Sequence, residues 1–218
     1  MVTLAEDLYL LADDAATGRP VIDQSHLELG LAGALLLDLA LRRRIAVVDA
    51  HVTVASEAPT GEPLLDGALI RIAGDGRTHG PDHWVRHLAR GARRAIQNRL
   101  VEVGALQRDD HKLLRVIPVH GTHETDGRIH HELVEHLHDA VVLDHAPSPE
   151  TAALALLALA VGLERHLFPR VDRRVMGRRL AEVATKCGVG TWVATAVACA
   201  VNVMDAALGI TPTSGAVP

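Results

Sequence analysis

Residues 30–41, GLAGALLLDLAL, constrain the fold more than any other stretch. Laid on a helix, the segment is apolar nearly all the way round, and such a helix has no face to give to water. It must sit at the centre of something. Ser25 and Glu28 stand at capping-box spacing just before it, so a helix is predicted from about His26 to Arg43. Gly30 and Gly33 allow neighbouring helices to approach closely, and Arg42, Arg43 and Arg44 complement the dipole at its C-terminal end.

The rest of the chain supplies material to surround that helix. Of its 218 residues 48% are hydrophobic but only 2% are aromatic, so the core is built from Ala, Leu and Val. That composition favours helix-on-helix packing over a β-sandwich. Thr3 and Glu6 form a second capping box, opening a helix with Leu4, Leu8 and Leu11 on one face and ending near Gly18-Arg19-Pro20. Ile45 to Val54 reads as two short strands around Asp49-Ala50, followed by a Pro/Gly loop and a helix through Leu64, Leu65, Leu69 and Ile72. A second hairpin is expected at 107–119, with its turn at Arg108 to His111, and then a loop at 121–127. Helices are expected from Ile129 to Leu143, Glu150 to Phe168 and Asp172 to Cys187. The predicted fold is mainly α: a single globular helical-bundle domain over 1–208, with buried apolar helices surrounded by amphipathic ones, two short β-hairpins and a flexible tail at 209–218.

Two cysteines, Cys187 and Cys199, make no disulfide framework, and the acidic MVTLAEDLYLL start is unlike a signal peptide. The stretch 191–208 approaches the length of a membrane span, but Asn202 and Asp205 mark it as a buried helix instead. A cytoplasmic protein is the expectation.

Against a net charge of −5, residues 82–103 stand out. Read as one helix, Trp84, Leu88, Ala92, Ala95 and Ile96 share one side, and Arg86, Arg90, Arg93 and Arg94 crowd the other. A local positive field on a negative body suits an anionic partner. Fourteen histidines invite a metal reading, above all His131, Glu135 and His138 on one helix face, with His120 and His123 just before them. No closed ligand set and no H-E-x-x-H motif accompany them, so no metal site and no cofactor are expected. Asp109 and Asp110 read as turn residues. No nucleophile elbow, P-loop or dinucleotide fingerprint is present, and no catalytic residues are assigned.

Several segments are similar to the Golgi phosphoprotein 3 family: TLAEDLYLL, GLAGALLLDLALRRRI, SEAPTGEPLLDGAL (Ser56 to Leu69), NRLVEVGAL (Asn98 to Leu106) and ALLALAVGLERHLF. The most specific is APTG-x-x-LLD at Ala58 to Asp66, and the resemblance spans roughly residues 1 to 205, as a bacterial-type member. It implies a helical domain with a projecting hairpin that binds phosphatidylinositol 4-phosphate on a membrane without catalysis. It assigns the headgroup to Arg90 and Arg93, with Arg86 and Arg94 supporting. The family's other two headgroup positions, a Trp and an Arg, fall on Asp23 and Ala32, which implies a weaker hold on a doubly charged headgroup. The expected partner is an anionic phospholipid, with phosphoinositide as one candidate, at the inner face of the membrane. The apolar hairpin is a candidate surface for self-association. Two other readings fit the same residues: a winged-helix nucleic-acid binder, disfavoured by the −5 charge, and a soluble scaffold whose arginines are internal ion pairs.

Overall fold

In the computed structural model, described for residues 3–14, 19–113, 117–124, 128–142, 147–169, 172, 174–176, 178, 179 and 182, the apolar helix is the centre of the molecule. This helix, α2 (Gln24–Leu41), follows α1 (Leu4–Ala12) and packs against it. The same helix also touches α3 (Pro63–Gly74), α4 (Pro81–Ala89), α5 (Ala92–Glu102) and α7 (Pro149–Ala160). Leu27 and all of Leu29 to Leu39 are buried, as a helix with no polar face requires. Gly30 earns its place by contact: an ideal Cβ there would stand 2.6 Å from Val161 Cγ1 and 3.1 Å from Leu8 Cδ2.

The Thr3–Glu6 box forms as expected, with Glu6 N–H donating to Thr3 Oγ1 at 3.3 Å and Thr3 N–H donating to Glu6 Oε2 at 2.7 Å. The cap of α2 differs from expectation. Asp23, not Ser25, is the N-cap, and its carboxylate accepts the N–H groups of Ser25 at 2.8 Å and His26 at 3.4 Å. Those bonds hold the Asp23 carboxyl below its ordinary pKa despite the opposing effect of desolvation. Asp38, buried inside α2, accepts Leu4 N–H at 2.8 Å and pairs with Arg42 at 3.2 Å. Arg42 therefore has a structural partner, and Arg44 reaches the Pro59 carbonyl at 3.3 Å.

Helix α1 stops at Ala12, earlier than predicted. A two-residue pair, β1 (Asp13–Asp14) with β2 (Arg19–Pro20), follows it. The predicted hairpin at 45–54 is present as β3 (Ile45–Val48) and β4 (His51–Val54), antiparallel, with Asp49 and Ala50 both at positive φ (49° and 61°). That is the primed turn whose twist matches the strands.

The second hairpin is longer than predicted. Strand β5 (Leu106–Leu113) pairs with β6 (Ile117–Glu124), Leu106 opposite Glu124 and Leu113 opposite Ile117. Arg108 to His111 therefore lie in a strand rather than a turn, and 121–124 pair instead of looping. Turn propensity in Asp109-Asp110 is local, and the cross-strand ladder outweighs it.

Helix α6 (Arg128–Val142) matches expectation, with Leu137 and Ala140 buried. The predicted helix from 150 to 168 is two pieces. Helix α7 closes in a left-handed cap at Gly162 (φ 80°), with Leu163 N–H donating to Ala158 O at 2.8 Å, and α8 (Glu164–Leu167) follows. Residues 174–176 are helical and Met176 is buried. The apolar stretch 191–208 and the tail at 209–218 lie outside the described residues. No helix among the described residues is long and apolar enough to cross a membrane.

Candidate functional site

The arginine stretch is not one helix. Helix α4 ends at Ala89, Arg90 adopts an extended conformation (ψ 107°), and Gly91 turns left-handed at φ 79° before α5 begins. The apolar period continues across the break, which is why spacing alone reads it as continuous. Trp84, Leu88, Ala92 and Ile96 are buried as predicted, but Ala95 is exposed, while Val85 and Ala89 join the core. Arg90 and Arg93 therefore do not share a helical face; they flank the left-handed glycine.

That geometry changes the electrostatics. Helix α5 starts with no side-chain cap, so the N–H groups of its first turn lack the usual local acceptor. The positive end of its dipole coincides with Arg90, Arg93 and Arg94. Among the described residues the side chains of these three form no hydrogen bond or ion pair. Arg93 is partly buried, and its Nε is enclosed without an acceptor. Arg86 is different: its guanidinium is bonded to Asp82 one turn earlier. At the other end α5 closes in a Schellman cap, with Gly104 at φ 78° and Ala105 N–H donating to Leu100 O at 2.9 Å.

Neither Asp23 nor Ala32 adds to the cationic junction. The Asp23 carboxylate is occupied as a helix cap, and Ala32 is fully buried in α2. The loop signature has a structural explanation. Thr60 donates to Asp66 Oδ1 through both its N–H (2.6 Å) and its hydroxyl (2.7 Å), folding the loop onto the start of α3, while Gly61 takes φ 83°. Those donors hold the Asp66 carboxyl below its ordinary pKa.

A family model, Golgi phosphoprotein 3 (GPP34), matches residues 4–204. The chain belongs to that family. Its members are associated with phosphoinositides and Golgi membranes, and with binding rather than catalysis. Thr60, Gly61 and Asp66 of the signature are thus fold determinants in this member, and the arginine junction is its candidate binding site.

The histidines on α6 do not close round a common point: His131 pairs with Glu135 at 3.3 Å, both exposed, and His138 lies 3.9 Å from Asp139. The side chains of His120 and His123 lie outside the described set. Among the described residues, the metal-ligating groups brought together are Asp75, His79 and His83. Sequence reasoning missed them because they straddle a Gly-rich connection and a helix start. Their spacing of four residues, continued at His87, was the available signal.

Proposed function

We propose that this chain is a non-catalytic peripheral membrane protein that binds an anionic phospholipid headgroup at the α4–α5 junction. Arg90 and Arg93 contact the phosphate as guanidinium donors, Arg94 adds to the local field, and the first-turn N–H groups of α5 complete the anion site. The observation that carries this reading is the absence of any partner for the three arginines among the described residues, together with the enclosed Arg93 Nε. A scaffold with internal ion pairs would have satisfied them. Arg86, already bonded to Asp82, plays a lesser part than its position in the stretch implies. With Asp23 and Ala32 in place of the family's other headgroup ligands, the site recognises anionic lipid as a class, phosphatidylinositol 4-phosphate being one such ligand. The ribbon β5–β6 pairs with no other strand among the described residues, and it offers an edge for self-association.

Vesicle co-sedimentation tests the site. Vesicles of phosphatidylcholine alone should bind little, and those with phosphatidylserine or phosphatidylinositol 4-phosphate should bind the chain. The Arg90→Ala/Arg93→Ala double variant should lose that binding. Equal sedimentation of the two proteins would overturn the assignment. A salt-sensitive gel shift with DNA that depends on the same arginines would move the reading to nucleic acid.

A further inference from the structure

The end of α3 and the start of α4 bring three metal-ligating side chains to one place. Asp75 is the C-cap of α3, and its Oδ1 accepts Arg77 N–H at 3.1 Å. Its second oxygen, Oδ2, lies 3.4 Å from His79 Nε2. His79 is fixed through its backbone, whose carbonyl accepts Val52 N–H from β4 at 2.8 Å. His83 lies in the first turn of α4, and its ring stacks on that of His79, centroids 3.8 Å apart and planes within 8°. His87 stacks beyond it at 5.9 Å. Buried Trp84 meets all three imidazoles edge-on and floors the row.

We propose that Asp75, His79 and His83 bind one divalent transition-metal ion of the zinc class, clipping the α3–α4 connection to the first turn of α4. One ligand atom from each residue lies within 4.8 Å of the other two. Zinc–nitrogen bonds of 2.0–2.1 Å in tetrahedral geometry put donor atoms about 3.3 Å apart. Closing from the observed spacing needs only side-chain rotation, because all three residues are partly exposed. Two nitrogens and one carboxylate oxygen form a donor set suited to zinc rather than magnesium or calcium. Three protein ligands leave the fourth position to water. Imidazole lone pairs lie in the ring planes, so coordinating one ion rotates the His79 and His83 rings out of their parallel stack until both planes contain it.

Calorimetric titration of the chelator-stripped full chain with Zn²⁺ alone tests the site, with Co²⁺ absorption reporting coordination. The expected result is one tight equivalent per chain, a tetrahedral Co²⁺ spectrum and a rise in melting temperature with zinc. His79→Ala/His83→Ala should abolish all three, and Asp75→Ala should weaken zinc at least tenfold. His131→Ala/His138→Ala, on α6, should leave binding intact. No stoichiometric zinc on the wild type, or binding that survives His79→Ala/His83→Ala and disappears with the α6 variant, would overturn the proposal. If the double variant does not fold, undiminished zinc affinity in Asp75→Ala overturns it equally.

Discussion

Gly91 is the hinge on which the candidate site depends, and replacing it with alanine separates two physical pictures of the arginine stretch. At φ 79° an L-residue is strained, and an added Cβ would meet nothing within 4 Å, so the cost is purely conformational. The left-handed conformation costs a non-glycine residue about 1–2 kcal/mol. Restricting the unfolded chain returns roughly 0.4–1 kcal/mol. The net loss is then about 1 kcal/mol, or about 2–4 °C in melting temperature for a domain of this size. Straightening α4 and α5 into one helix would relieve the strain and gain about 1 kcal/mol of helix propensity. However, it would swing α5 away from α1 and α2, against which it packs, and draw Ile96 and Leu100 out of burial, and each large aliphatic lost from burial costs about 1.5–3 kcal/mol. The break should therefore persist.

Differential scanning calorimetry and far-ultraviolet circular dichroism measure both consequences. Gly91→Ala should melt lower with unchanged helicity. Arg43→Gly provides a control of opposite sign: Arg43 sits left-handed at φ 55° in the Schellman cap of α2, with Arg44 N–H donating to Leu39 O at 2.8 Å, so glycine there should raise stability by up to about 1 kcal/mol. A Gly91→Ala protein that melts higher and gains helicity would refute the reasoning. It would mean that 82–103 is one helix after all, with Arg90 and Arg93 on a common face.

Three further expectations concern the frame around the site. Gly30→Ala should destabilise by about 1–3 kcal/mol in chemical denaturation, because its Cβ would stand 2.6 Å from Val161 Cγ1 inside a packed core. Asp66→Ala should cost about 1–2 kcal/mol by stranding both Thr60 donors, with little effect expected from Asp66→Glu only if the loop can move. Asp7 is pushed up to about 7 by burial beside Glu6 and Asp38; with its folded pKa above its unfolded value, it favours the fold below pH 4 and that contribution is lost as pH rises to about 7. Asp7→Asn should therefore gain stability over wild type progressively between pH 4 and 7, and a constant difference across that window would contradict the assignment.

Much of this architecture was legible because it is local. The Thr3–Glu6 box needs only three residues, and the apolar run of α2 declares its burial without reference to anything else. The failures all cross an element boundary. Ser25 and Glu28 imitate a cap, but Asp23 takes that position because its carboxylate reaches two N–H groups at once. Gly91 hides inside an unbroken apolar period. Asp109 and Asp110 look like a turn until paired with Gly121 and His120. The histidine row spans a loop, a Gly-Pro helix start and a first turn, so no single periodicity describes it. Arg90 and Arg93 were singled out as candidates by charge and resemblance, but that neither pairs with a carboxylate among the described residues was not legible, since that depends on what the rest of the fold places beside them.

That freedom also sets a limit on what the site can do alone. A cationic side chain near an anionic membrane surface contributes about 1 kcal/mol. Three arginines then supply about 3 kcal/mol, roughly a hundredfold enrichment at the surface, which is reversible residence rather than anchorage. On the proposed reading the remaining surface of a chain with net charge −5 would be repelled by the same membrane, so the junction would orient the protein without holding it. The proposed membrane binding then requires a second contribution, and the proposal offers two candidates: a phosphomonoester headgroup, which would add charge at the Arg93 guanidinium, or pairing of two chains through β5–β6. A pair carries six such arginines, and its second contact is intramolecular once the first has formed. The two routes predict different vesicle data. A headgroup effect should appear as a preference for phosphatidylinositol 4-phosphate over phosphatidylserine at equal charge, whereas pairing should make binding to both lipids rise steeply with protein concentration.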